Sequence, residues 1–94
     1  MHARVVRFTD VTPDRIAAVL SRVDEAGGPP PGVDSTGMQL LVDEEQGTAV
    51  FIGLFDSEEK MREGSAVLEA MDSVETPGTR ASVDLCEVTI ERSV

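Results

Sequence analysis

Two runs in the middle of the chain, Met38–Asp43 and Thr48–Phe55, are apolar without alternation: Leu40, Leu41 and Val42 are consecutive, as are Val50, Phe51 and Ile52. A strand with one wet face alternates apolar and polar side chains, so this pair predicts a sheet covered on both sides. The acidic segment Glu44-Glu45-Gln46-Gly47 between them predicts a tight hairpin turn. Upstream, Ala3–Thr9 is β-rich and predicts a first strand. Thr12-Pro13-Asp14 then marks a helix start, with Thr12 as cap, Pro13 in the first helical position and Asp14 complementing the helix dipole. Ile16, Val19, Leu20 and Val23 follow at the spacing of one helix face, and Gly27-Gly28 ends the element.

Pro29-Pro30-Pro31-Gly32 predicts an extended connector within a long link from Gly27 to Ser35. Links of this length serve as lids or spacers, and a helix-to-strand crossover favours the spacer. After the hairpin, Asp56 is the expected cap of a second helix, with Glu59 completing a capping box. Met61, Leu68 and Met71 share one face of that helix, with Gly64 and Ser65 between them. A mid-helix glycine costs about 1 kcal/mol against alanine, so Gly64 implies either close approach of a strand or room for a ligand, packing being the commoner reason. Glu75–Thr79 predicts a turn and Ala81–Arg92 a final strand. The order is β-α-β-β-α-β, a ferredoxin-like α+β plan. It predicts a four-stranded antiparallel sheet with two helices on one face, dimerising through the other, because so short a chain has helices for one side alone.

The 94 residues are expected to form one domain, 1–94, since halves of this length would have cores too small to be stable. A formal charge of −10 argues against nucleic acid or anionic membranes as partners. No window approaches a membrane span, and no basic segment precedes a long apolar run, which predicts a soluble, cytoplasmic protein. Cys86 is the only cysteine, so no internal disulfide forms. Its setting among Val83, Leu85, Val88 and Ile90 predicts a small buried thiol.

Among candidate chemical groups, Arg7 alternates with Val5 and Thr9 on a strand this plan makes central, while Arg4 points to the opposite face with Val6 and Phe8. Arg7 is expected to form a cross-strand ion pair, for instance with Glu87, or to face a cleft and hold a carboxylate or enolate oxygen. His2 reads as a frayed terminal residue and Asp43, Glu44 and Glu45 as solvated turn acids. Met38, Met61 and Met71 read as core fillers. There is no Cys/His cluster, phosphate-binding glycine loop or nucleophile elbow, so no metal and no cofactor is expected.

The opening strand ARVVRF (Ala3–Phe8), the hairpin and helix start Gly37–Met61, and the closing strand Ser82–Glu91 together resemble the dimeric α/β-barrel superfamily, with the antibiotic-biosynthesis-monooxygenase type nearest. The resemblance covers essentially the whole chain and is one of pattern. It implies a homodimer packed sheet to sheet, a ligand cleft between sheet and helices, and relatives that include cofactor-independent monooxygenases and haem-degrading enzymes. Haem-degrading members use an Asn, a Trp and a helical His. This chain has no Trp and no Asn, its one histidine is His2, and Gly64 and Ser65 stand where that helical His would lie. Phe55 takes the position before the helix cap where many relatives carry Trp. The cleft residues the resemblance implies are Arg7, Phe55 and Ser65. The expected function is a small dimeric module for assembly or for binding a small apolar or aromatic molecule. The alternative is a monooxygenase-like enzyme acting on a small aromatic or polyketide-like substrate.

Overall fold

The computed structural model describes residues 1–71 and 76–93. Its elements are β1 (His2–Thr9), α1 (Pro13–Ala26), β2 (Gly37–Asp43), β3 (Thr48–Phe55), α2 (Glu58–Ala70) and β4 (Thr79–Glu87). The strands form one antiparallel sheet in the order β2-β3-β1-β4. This is the ferredoxin-like α+β arrangement read from the sequence.

Register assigns each residue to a face. On β1, Arg4, Val6 and Phe8 point to the helix side; their β3 partners are Gly53, Phe51 and Ala49. Val5 and Arg7 point the other way, opposite Ile52 and Val50 of β3. The helix side holds two apolar clusters. Val6, Phe8 and Ala49 form one, with Leu40, Phe51 and Val83 packed against them. Val33, Phe55 and Met61 form the other, with Val67 and Leu68 at its edge. Helix α2 packs directly on β1, β3 and β4, whereas no Cα of α1 comes within 8 Å of a Cα in any other element. The outer face carries Val5, Val50, Ile52, Leu54 and Leu41, and among the described residues no helix covers it.

Local chemistry accounts for the element ends. Thr12 accepts a hydrogen bond from the Arg15 amide (3.3 Å) at the start of α1. Gly27 closes the helix in the left-handed region, at φ 68, donating to the Val23 carbonyl. Helix α2 is capped by Ser57, which accepts from the Lys60 amide (3.2 Å), and not by Asp56 as the sequence suggests. Asp56 lies one residue too early to meet that amide and instead sits 3.9 Å from the Lys60 ammonium. Strand β4 starts earlier and ends sooner than the expected Ala81–Arg92. It is an edge strand, paired among the described residues with β1 alone, and the pairing runs from Thr9↔Thr79 to His2↔Glu87, with a bulge between Arg7 and Phe8. Ile90 therefore lies beyond the strand and is exposed. The predicted turn at Glu75–Thr79 falls partly outside the described residues, since Glu75 is not among them.

Three further expectations are corrected. Cys86 is exposed on the outer face, because the strand alternation that packs Val83 against the helix-side core sends Cys86 the other way. Of the three methionines expected in the core, only Met61 is there; Met38 and Met71 are 46% and 49% exposed. His2 is the first residue of β1, held between Phe55 and Glu87, and is not frayed.

Gly64 is explained by close approach. A Cβ there would lie 2.8 Å from Phe55 Cε1 and 3.1 Å from Cζ, and the Phe55 side chain is 1% exposed. Overpacking of this kind costs about 1–3 kcal/mol and exceeds the helix-propensity gain of roughly 1 kcal/mol. Gly64→Ala is expected to destabilise by about 1–2 kcal/mol, lowering Tm by roughly 5–15 °C. Gly28→Ala, whose Cβ would meet nothing within 4 Å, serves as the control and should be near neutral. Thermal unfolding followed by circular dichroism checks both. A Gly64→Ala variant as stable as the parent would show that the ring yields and that packing is not the reason for the glycine.

Candidate functional site

Because α1 stands off the sheet, the helix side holds an open cleft of about 780 Å³. Its floor is the sheet, with Phe8, Phe51 and Phe55; its walls are Val19 and Val23 of α1, the connector Pro29–Pro31, and Leu68 and Met71 at the end of α2. Alternation on β1 and β3 places the three phenylalanines there, and the amphipathic spacing of α1 turns Val19 and Val23 inward. The proline-rich link is thus a wall of the cleft as well as a spacer. It is anchored by Val33, which is buried against Phe55 and Met61.

The polar feature of the floor is Arg4, whose side chain is 9% exposed. Its Nε donates to Ser65 Oγ (3.1 Å) and its Nη2 to Glu69 Oε1 (2.8 Å), both from α2. Arg80 of β4 grips the same carboxylate, Nη1 donating to Oε1 (2.6 Å) and Nη2 to Oε2 (3.1 Å). Two cations therefore share one anion. The carboxyl of Glu69 is held below its ordinary value of 4.5, chiefly by the Arg80 hydrogen bond and then, against opposing desolvation, by the charges of Arg80 and Arg4. Pairing and hydrogen bonding make a buried guanidinium tolerable; unpaired, it would be strongly destabilising.

The three residues proposed from sequence are not brought together. Phe55 lines the cleft. Ser65 is buried and lies behind Arg4, where it orients the guanidinium. Arg7 is exposed on the outer face, opposite Val50 and Ser82, so it reaches neither the cleft nor Glu87, which pairs with His2. The cleft arginine is Arg4. Two arginines three residues apart on a strand must face opposite ways. The usable signal was that Arg4 shares its face with Val6 and Phe8, a bulkier apolar pair than the Val5 and Thr9 beside Arg7.

Elsewhere among the described residues the acids are exposed. Asp43 accepts from the Gln46 amide (3.2 Å) and side chain (2.8 Å), which tightens the hairpin turn and lowers the pKa of Asp43. Among the described residues no group of His, Cys, Asp and Glu is placed to hold a metal ion, and no helix is long and apolar enough to cross a membrane. Compared with protein-family models, curated proteins and solved structures, the chain has no significant match in any of the three.

The Glu69 arrangement has a pH signature. A carboxyl with a depressed pKa in the folded state contributes stability that is present above its unfolded value and lost as pH falls through the folded one. The Tm gap between the parent and Glu69→Gln is therefore expected to be full at neutral pH. It should close in the acid range below the ordinary carboxyl value of 4.5. Thermal unfolding of both proteins across that range measures it, and a gap that stays constant into strong acid would show that charge is not how Glu69 acts.

Proposed function

We propose that this chain is a small homodimeric module that binds a small, largely apolar molecule in the cleft between α1 and the sheet. The observation that carries the reading is the cleft itself, about 780 Å³ and walled by aromatic and aliphatic side chains. That size and lining are typical of small-molecule sites, which combine an apolar body with a few fixed polar groups. The described polar lining consists of guanidinium groups and the hydroxyls of Ser35, Thr36 and Thr76, which hold a ligand and do not abstract a proton. This favours binding over catalysis and over assembly alone.

Dimerisation through the outer face is supported by the layout of that face. Val5, Val50, Ile52 and Leu54 lie on the two central strands and Leu41 of β2 extends the patch, while Arg7 near the end of β1, Gln39 of β2 and Asp84 of β4 border it. An apolar centre with a polar rim is the anatomy of a protein interface, and a twofold axis lets one such face pack on itself.

Two measurements test these readings. Titration with neutral probes, 2-naphthol and 1-octanol, is expected to give saturable amide shifts in NMR spectra centred on Val23, Met38, Phe51 and Met71. Shifts that never saturate, or that map to the outer face, would remove the binding reading. Sedimentation should show a dimer at micromolar concentration for the parent and a monomer for Ile52→Glu, which places a charge at the centre of the outer face. A clean 10.0 kDa parent monomer would overturn the dimer.

A further inference from the structure

The chain carries 18 acidic residues against 8 Lys and Arg. Among the described residues lining the cleft, the only charged ones are Arg4 and Arg22. A surface drawn evenly from this composition would line any cleft mostly with carboxylates, whereas the described lining carries two guanidinium groups and no carboxylate. Arg4 is also incompletely used. Its Nε and Nη2 each have a protein partner, while Nη1 has none among the described residues. No fully buried side-chain nitrogen or oxygen lacks a partner among those residues, so Nη1 keeps some accessible surface, on a residue that lines the cleft. Its charge is only partly met, because Glu69 is shared with Arg80.

From this we infer that the cleft takes an anionic amphiphile. The apolar body of the ligand would lie against Phe8, Phe51 and Val23, and its carboxylate would be held by the free edge of Arg4, with Arg22 of α1 closing from the other wall. A guanidinium matches a planar carboxylate better than any other side chain, and a low-exposure site strengthens the pairing. Ser65 and Glu69 fix the orientation of Arg4 before the ligand arrives, so little side-chain freedom is lost on binding. The inference rests on the binding reading above and adds the charge of the ligand.

The global charge makes the test sharp. If long-range electrostatics set the preference, a chain of net charge −10 would favour a cation. The site predicts the opposite order. In calorimetric titrations with octanoate, 1-octanol and octylammonium, octanoate is expected to bind tightest. It should exceed the alcohol by about tenfold, the ratio one charge-assisted hydrogen bond supplies, and octylammonium should bind weakest. Arg4→Gln should remove the preference of acid over alcohol. Arg22→Gln, which alters an exposed helix position and leaves the fold intact, should reduce it by about two- to threefold, as expected of a partly screened charge. Should Arg4→Gln fail to fold, the parent ranking and Arg22→Gln decide the matter. An alcohol bound as tightly as the acid, an amine bound best, or an acid preference unchanged in every folded variant would overturn the inference while leaving the binding module standing. Binding of none of the three would remove the binding module as well.

Discussion

The ring of Phe55 occupies a space that two glycines leave open, and the helix side of the molecule is built around it. Gly53 on β3 lies 3.4 Å from the ring, measured from where its Cβ would be, and Gly64 on α2 would clash at 2.8 Å. Neither glycine has positive φ, so their purpose is space and not backbone freedom. The close approach brings α2 down onto β1 and β3. Once α2 is down, Ser65 and Glu69, one and five positions further along it, are within reach of Arg4. Docking of the helix and placement of the buried charge are thus one event. The roughly 1 kcal/mol that a mid-helix glycine costs is offset by the burial it permits.

The same docking makes the two helices unequal. Helix α2 occupies the sheet near Phe55, and the connector follows it down through Val33. Helix α1 remains apart, bounded by Thr12 at one end and the left-handed Gly27 at the other. The second apolar cluster, Val6, Phe8 and Ala49, is buried, with Phe8 at its cleft edge. The cleft arises from this asymmetry and not from a missing side chain at any single position.

Element order, the hairpin, the first helix with both its caps, and the packing role of Gly64 were all readable from the chain, because each depends on local periodicity or local turn chemistry. What depended on tertiary partners was not. The end of β4 is set by the length of β1 eighty positions away in the chain, roughly, and no local signal marks it. The choice between Asp56 and Ser57 as cap turns on a one-residue offset that both side chains satisfy equally on paper. The arginine of the cleft was taken from the wrong face for a comparable reason: alternation separates Arg4 from Arg7, and only the bulkier Val6 and Phe8 beside Arg4 mark its face as interior. Ser65 stood out by its position beside Gly64, and it accepts a hydrogen bond from Arg4. Glu69 and Arg80 were missed, since an acid on an exposed helix and an arginine at an edge strand look like ordinary surface.

The stand-off of α1 also bears on motion. Isolated helices shorter than about 12–15 residues are marginal in water, and α1, at 14 residues, has only Val19 buried. Much of its order has to come from its own caps and propensities. Such an element opens at far lower free energy than a packed strand, so its amides exchange with solvent well before those of β1. Any molecule filling the space beneath it would give Val23, now 38% exposed and lining the cleft, something to bury against. Occupancy of the cleft and helicity of α1 are then thermodynamically linked, and each reports on the other.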